Sequence, residues 1–144
     1  MPNKSRIFRF PQGIPGFETH HEFRFVLEEE GQFAHLISVL EDKIGFIIMR
    51  PEGYFPEYLK GMDVDEESVK VLNVNADMPV DVWVIITFDR QDMAKTTVNL
   101  RAPLIFNTVE GIGMQVILND DRHLSRQRLF TEEDPQPTKE GVAG

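Results

Sequence analysis

Apolar and polar residues alternate with a period of two in short runs ahead of Asp120, and Gly, Pro or acidic stretches cut the runs apart. Such alternation marks half-buried strands. It predicts strands at Ile7 to Phe10 and across Phe23, Phe25 and Leu27, with Glu28-Glu29-Glu30-Gly31 as a charged turn. Phe33 to Leu40 and Gly45 to Met49 read as two more strands around Glu41-Asp42-Lys43, a meander. Arg50 to Gly61 contains two prolines and two glycines, which exclude a long regular element and leave room for one short helical turn. Val69, Val71 and the Val74 region follow Asp65-Glu66-Glu67 as a further strand, and Ala76-Asp77-Met78-Pro79 breaks the pattern before Val80 to Phe88. With Trp83, Ile85 and Ile86, that last run is strongly strand-forming and is predicted to be central.

Beyond a polar turn at Asp89 to Ala94, Lys95 to Leu100 and Leu104 to Asn107 read as strands separated at Ala102-Pro103. Met114 to Leu118 follows a turn at Glu110-Gly111-Ile112-Gly113. About nine strands spaced roughly eight to twelve residues apart, with no sustained helical period, predict an all-β, single-domain antiparallel β-barrel-like or sandwich fold with one or two short helical turns. Leu124, Arg128 and Leu129 place such a turn or two within Asp121 to Phe130, over a barrel end. Residues 1–130 are expected to form the β domain. Residues 131–144, with two prolines, two glycines and mostly polar side chains, are expected to be a flexible acidic tail, because they offer little apolar surface to offset an ordering cost of about 1–2 kcal/mol per residue.

Composition narrows the function classes. At 144 residues the chain is long enough for one domain with its own core, and its 41% hydrophobic and 27% charged residues are ordinary globular values. With no Cys, disulfides, thiolate metal sites and a Cys nucleophile are excluded. No apolar window approaches the length of a bilayer span, and the first residues are not followed by an apolar run, so a cytoplasmic location is expected. Fifteen Lys+Arg against 24 Asp+Glu leave a formal charge of −9. That field repels phosphate backbones and anionic lipid over a Debye length of roughly 8 Å, so neither direct nucleic-acid nor membrane binding is expected. It speeds encounter with a basic protein, and it also serves plain solubility.

Catalytic and metal constellations find no footing. Ser5, Ser38, Ser68 and Ser125 lie outside any Gly-x-Ser-x-Gly context, and the adjacent His20 and His21 would point to opposite faces of a strand. Asp63 to Ser68 begins like a calcium loop, but it lacks the Gly at the sixth position and has Val74 at the twelfth. Gly13-Ile14-Pro15-Gly16 is not followed by a phosphate-binding fingerprint; its glycines permit positive φ in a sharp corner that Phe17 pins to the core. Asn99 and Arg101 would share one strand face, and Arg101 has two readings: a pair with a carboxylate such as Glu18, or a guanidinium presented to a partner. Pro103 breaks the ladder at a corner or edge. Tyr54, Phe55 and Tyr58 form either local packing or an exposed patch.

Several of these pieces stand in an order that resembles one family. Phe10-Pro11-Gln12-Gly13-Ile14-Pro15-Gly16-Phe17-Glu18, the Arg50-Pro51 to Tyr58 loop, Thr97-Val98-Asn99-Leu100-Arg101-Ala102-Pro103 running on to Asn107, and Gln115-Val116-Ile117-Leu118 followed by Arg126 resemble the flagellar assembly factor FliW family. His123 stands where members usually carry Tyr. The resemblance implies a non-enzymatic cytoplasmic adaptor without cofactor or metal, monomeric when free. It would bind flagellin and the translational repressor CsrA and so couple flagellin translation to secretion. It also nominates Gly13, Gly16, Phe17, Glu18, Tyr58, Asn99, Arg101, Pro103, Asn107 and Arg126 as motif or partner-binding positions. A small-ligand-binding β-barrel or an uncharacterised enzyme is the competing class, and an oligonucleotide-binding barrel a third that would need basic residues among its aromatics.

Overall fold

The computed structural model describes residues 5–29, 31–62, 64–75, 78–119 and 122–130. Among these residues, nine strands fall in the order β1 (Ser5–Arg9), β2 (Glu22–Leu27), β3 (Phe33–Ser38), β4 (Gly45–Met49), β5 (Val80–Thr87), β6 (Thr97–Val98), β7 (Leu104–Asn107), β8 (Ile112–Gln115) and β9 (Gln127–Arg128), with one α-helix, α1 (Glu66–Leu72), between β4 and β5. Neighbouring strands run β4-β3-β2-β1-β8-β7-β5, and β5 pairs back onto β4, closing a seven-stranded barrel. Past the residues that β7 pairs, the same edge of β5 pairs with β6, and β9 pairs with β6. All pairings are antiparallel except β1 with β8, which meet in parallel at the single register pair Arg9 and Ile112.

Alternation decides where each side chain goes. Phe8, Phe23, Leu36, Ile48, Trp83, Leu104 and Phe106 are buried, belong to one cluster and come from six strands of the ring, which places that cluster inside the barrel. Edge-to-face aromatic pairs fill it, among them Phe8 with Phe106 at 4.8 Å and Phe25 with Trp83 at 5.2 Å. The Arg50 guanidinium lies 4.4 Å from the Trp83 ring centroid and donates from Nε to the Gly31 carbonyl. Met49, Val84, Ile86 and Ile105, the intervening residues, form a second cluster on the outer face with Tyr58, Leu72 and Leu118. β5 is thus covered on both faces, which is why its sequence reads as a nearly unbroken apolar run.

Four expected elements differ, the first being the Lys95 to Leu100 strand, which shortens to β6 behind a 3-10 turn at Met93–Lys95. The Val69 to Val74 strand is the helix α1: Asp65 is extended at its N-cap, Glu66 and Glu67 fill its first turn, and Asn73 closes it in the left-handed region at φ 57°. Its buried residues are Ser68 and Leu72, four apart, so the tertiary contact selects the helical period over the alternating valines. Burying Leu72 alone contributes roughly 1.5–3 kcal/mol. The expected helical turns between Asp121 and Phe130 give way, among the described residues, to turns and β9, whose Gln127 and Arg128 pair with β6. Met114 to Leu118 starts earlier as β8, and Ile112 and Gly113, expected in the turn, are strand residues. The Arg50 to Gly61 excursion carries two short 3-10 turns, Pro51–Gly53 and Tyr58–Gly61. The expected tail, 131–144, lies outside the described residues.

Candidate functional site

The N-terminal corner turns on two glycines. Gly13 sits at φ +66°, where a Cβ would come within 2.7 Å of the Glu18 Cα and the Phe17 carbonyl oxygen, and Gly16 sits at φ +91° in open space. Ile14 and Phe17 bridge across the corner, and Ile14 is buried. The exposed Glu18 carboxylate accepts from the Gly16 N–H at 3.1 Å; that backbone hydrogen bond, foremost, lowers its pKa below the ordinary carboxylate value. Phe17 packs edge-on to Phe46 at 5.6 Å and to His20 at 5.8 Å, fixing the corner on the barrel.

Opposite the corner, β8 runs on past Gln115 in extended form. The Val116 N–H donates to the Pro103 carbonyl at 2.9 Å and the Leu118 N–H to the Arg101 carbonyl at 2.7 Å, which continues the β7 to β8 register without a break. The segment that supplies those carbonyls is no regular strand. Asn99 Oδ1 accepts from the N–H groups of Arg101 at 3.1 Å and Ala102 at 3.0 Å, folding residues 99–102 into an Asx-type turn. Asn99 and Arg101 therefore do not share a strand face as the sequence pattern suggested: the Asn side chain competes successfully with the ladder. Pro103 marks the point where the chain rejoins the sheet as β7, as expected of a residue without an N–H.

Between corner and β8 extension lies an open groove of about 780 Å³. Gln12, Gly13, Pro15 and Glu18 line one wall, residues Met114 to Asn119 the other, and Met62 with Asp65, Glu67 and Ser68 of the α1 region close one end beside His123. Among the described residues, three acidic side chains line it, Glu18, Asp65 and Glu67, and no Lys or Arg does. The Ser68 hydroxyl donates to Asp65 Oδ1 at 2.6 Å, the principal reason the Asp65 pKa is lowered. The groove is negative at neutral pH and suits a cationic or backbone ligand. Among the described residues no group of three or more His, Asp or Glu side chains is placed to hold a metal ion.

Of the residues singled out from the sequence, Gly13 and Glu18 line the groove, and Gly16 and Phe17 shape its corner. Arg101 and Pro103 hold the β8 extension from behind through their carbonyls. Tyr58 is buried; its hydroxyl donates to the Leu100 carbonyl at 2.6 Å, its ring meets His123 edge-on at 5.0 Å, and burial pushes its pKa above the ordinary phenol value. Asn107 is fully buried and spends its whole amide inside the protein, away from the groove. Arg126 is exposed on the turn before β9. The α1 carboxylates were not singled out, although Asp65 ahead of two acidic residues is the signature of a helix start. Ile117, 59% exposed on the groove wall, lies in the Gln115 to Leu118 motif block but was not among the nominated positions.

Comparison with known proteins places these features in context. The family model described as FliW protein matches residues 2–129. The flagellar assembly factor FliW of Geobacillus thermodenitrificans is 36% identical over 126 residues, 88% of this chain and 85% of that protein. That of Desulfitobacterium hafniense is 35% identical over 137 residues, 94% and 88%. A crystal structure of the flagellar assembly factor FliW superposes with a TM-score of 0.79 at 36% identity, covering 89% of this chain and 88% of that one.

Proposed function

The chain belongs to the FliW family of flagellar assembly factors, and from that premise we propose that it is a non-enzymatic cytoplasmic adaptor that binds flagellin and the translational repressor CsrA. Flagellin occupies the adaptor while it accumulates; export frees the adaptor, which then binds the repressor and relieves flagellin messenger RNA. No bond chemistry is needed. A partner shifts the equilibrium through its differential affinity and concentration alone.

The observation that carries this reading is the groove at the family's own motifs: the N-terminal corner and the Gln115 to Leu118 block are its two walls, and its three carboxylates complement a basic protein surface. The interior supports a docking body over a ligand barrel, because Trp83, Phe10, Phe23 and Phe106 fill it with fully buried side chains. Among the described residues no helix is long and apolar enough to cross a membrane. The test mixes the purified protein with repressor and labelled flagellin leader RNA, at low and moderate salt. Release of the RNA as the protein is titrated, reversed by added flagellin, is the expected result; RNA fully retained at saturating protein overturns the regulatory role.

A further inference from the structure

Among the described residues, the β8 extension is bonded on one side only. With Val116 and Leu118 donating toward Pro103 and Arg101, strand alternation turns the N–H groups of Gln115, Ile117 and Asn119 toward the other side. In the rest of the barrel that side would belong to β1. But β1 meets β8 only at Arg9 and Ile112, after which Phe10 bonds to the His21 carbonyl and the chain leaves through the corner. The ring is therefore split at one seam beyond this pair, and the groove is the split. Ile117 neither donates nor accepts a backbone hydrogen bond with any described residue, and its side chain is 59% exposed. An unpaired, apolar-bearing strand edge is a liability that native proteins usually blunt with a charge, a Pro or a cover. Here the edge Gln115 to Asn119 carries no charged residue and no Pro.

We propose that this edge is a strand-addition site: an extended segment of a partner protein lies in the groove, pairs its backbone with Gln115, Ile117 and Asn119, and sets Lys or Arg side chains against Glu18, Asp65 and Glu67. Main-chain bonds supply the register and the carboxylates select a cationic strand over an acidic one. The site commits to an extended ligand because the groove wall offers backbone donors and acceptors in strand spacing; a helix has already satisfied its own and would leave these unpaired. This deepens the adaptor reading by naming how the groove binds. It rests on the groove being a partner site and on neither named partner, so the test uses synthetic peptides and can fail while RNA release succeeds.

The probes are fluorescein-labelled hexapeptides of alternating Val and Lys, the same with Glu for Lys, and the Lys peptide with alternate backbone nitrogens methylated on the bonding edge. Amide hydrogen exchange of the free protein is measured first: Ile117 is expected to exchange fast and Val116 and Leu118 slowly. Slow exchange at Ile117 in the free protein, or a dimer by sedimentation that protects it, means the edge is already covered and overturns the proposal. Anisotropy titration is expected to show binding of the Lys peptide, at least tenfold weaker binding of the Glu and N-methyl peptides, and new protection at Gln115, Ile117 and Asn119. Equal affinity for the N-methyl peptide, or unchanged exchange at the three amides, overturns it. No binding of the Lys peptide at about millimolar concentration does so too. Glu18→Gln with Asp65→Asn and Glu67→Gln, all exposed positions, is expected to weaken the Lys peptide about threefold to tenfold at low salt and to remove most of the salt dependence. An unchanged salt response overturns the electrostatic part, and Ile117→Pro, which deletes the central donor, checks the backbone part independently.

Discussion

Replacing Asn107 by Ala tests how the outer helix is fastened to the barrel. The Asn107 Nδ2 donates to the carbonyls of Leu72 at 2.8 Å and Asn73 at 3.2 Å, the last residues of α1 and its cap, while Oδ1 accepts from the N–H groups of Val109 and Glu110, both at 3.0 Å. One fully buried amide thus joins the end of α1 to the turn that connects β7 and β8. The two turn N–H groups are near solvent and can rehydrate, so each bond is worth about 0.5 kcal/mol net. The Leu72 carbonyl is held in a buried bond and loses its partner without replacement, which costs about 1–2 kcal/mol, and the bond to Asn73 adds about 0.5 kcal/mol. The sum is about 3 kcal/mol. Equilibrium urea unfolding measures it as a fall in midpoint at constant slope, and hydrogen exchange is expected to show the helix amides opening first. Asn73→Gly is the internal control. It keeps the left-handed cap and the backbone carbonyl, so it is expected to change stability by less than about 0.5 kcal/mol. A loss below about 1 kcal/mol for Asn107→Ala, or an equal loss for Asn73→Gly, would refute the reasoning.

Tyr58→Phe strips the Leu100 carbonyl of its buried donor and is expected to cost about 1–2 kcal/mol by urea unfolding. Because burial raises the folded phenol's pKa, its stability contribution is complete below the unfolded value of about 10 and fades as pH rises above it; Tyr58→Phe should flatten this alkaline decline, and an unchanged profile would count against it. Gly16→Ala meets only the backbone cost of positive φ, about 1–2 kcal/mol, whereas Gly13→Ala adds a clash with Glu18 Cα and is expected to cost more in the same assay. Equal losses would mean the corner yields freely. Glu18 and Asp65 have folded pKa values below their unfolded ones, 4.5 and 3.8, so their contribution is present above those values and lost as pH falls through the folded ones. Thermal melts between about pH 3 and 5 should show a shallower acid limb for Glu18→Gln with Asp65→Asn than for the wild type.

Strand placement was legible where one face is buried and the other wet. Gly45–Met49 and Leu104–Asn107 match the expected bounds, and β1, β2, β3 and β5 lie within two residues at each end. Period-two alternation is a local signal, so local reading suffices. The Phe17 corner was legible for the same reason: positive φ favours Gly whatever surrounds it. Asx and helix-cap signals are present too, at Asn99 and at Asp65 with Asn73, but alternating valines and a strand-like Lys95 to Leu100 outweigh them in the local pattern. The first case turns on the Asn99 side-chain oxygen and the second on the buried Leu72 contact, each of which outweighs the local pattern.

The amino-acid order by itself determined a β-rich single domain, its acidity, its sharp corners and its family, because each follows from residue type and spacing along the chain. Which strands close the ring, where the ring parts, and which carboxylates meet there were decided only in three dimensions. Glu18, Glu67 and Ile117 are distant in sequence, and no spacing rule records that β1 turns away after one pair and leaves β8 with an open side. Closure and its failure at one seam depend on non-local hydrogen bonds, whose geometry exists only once the whole barrel has formed.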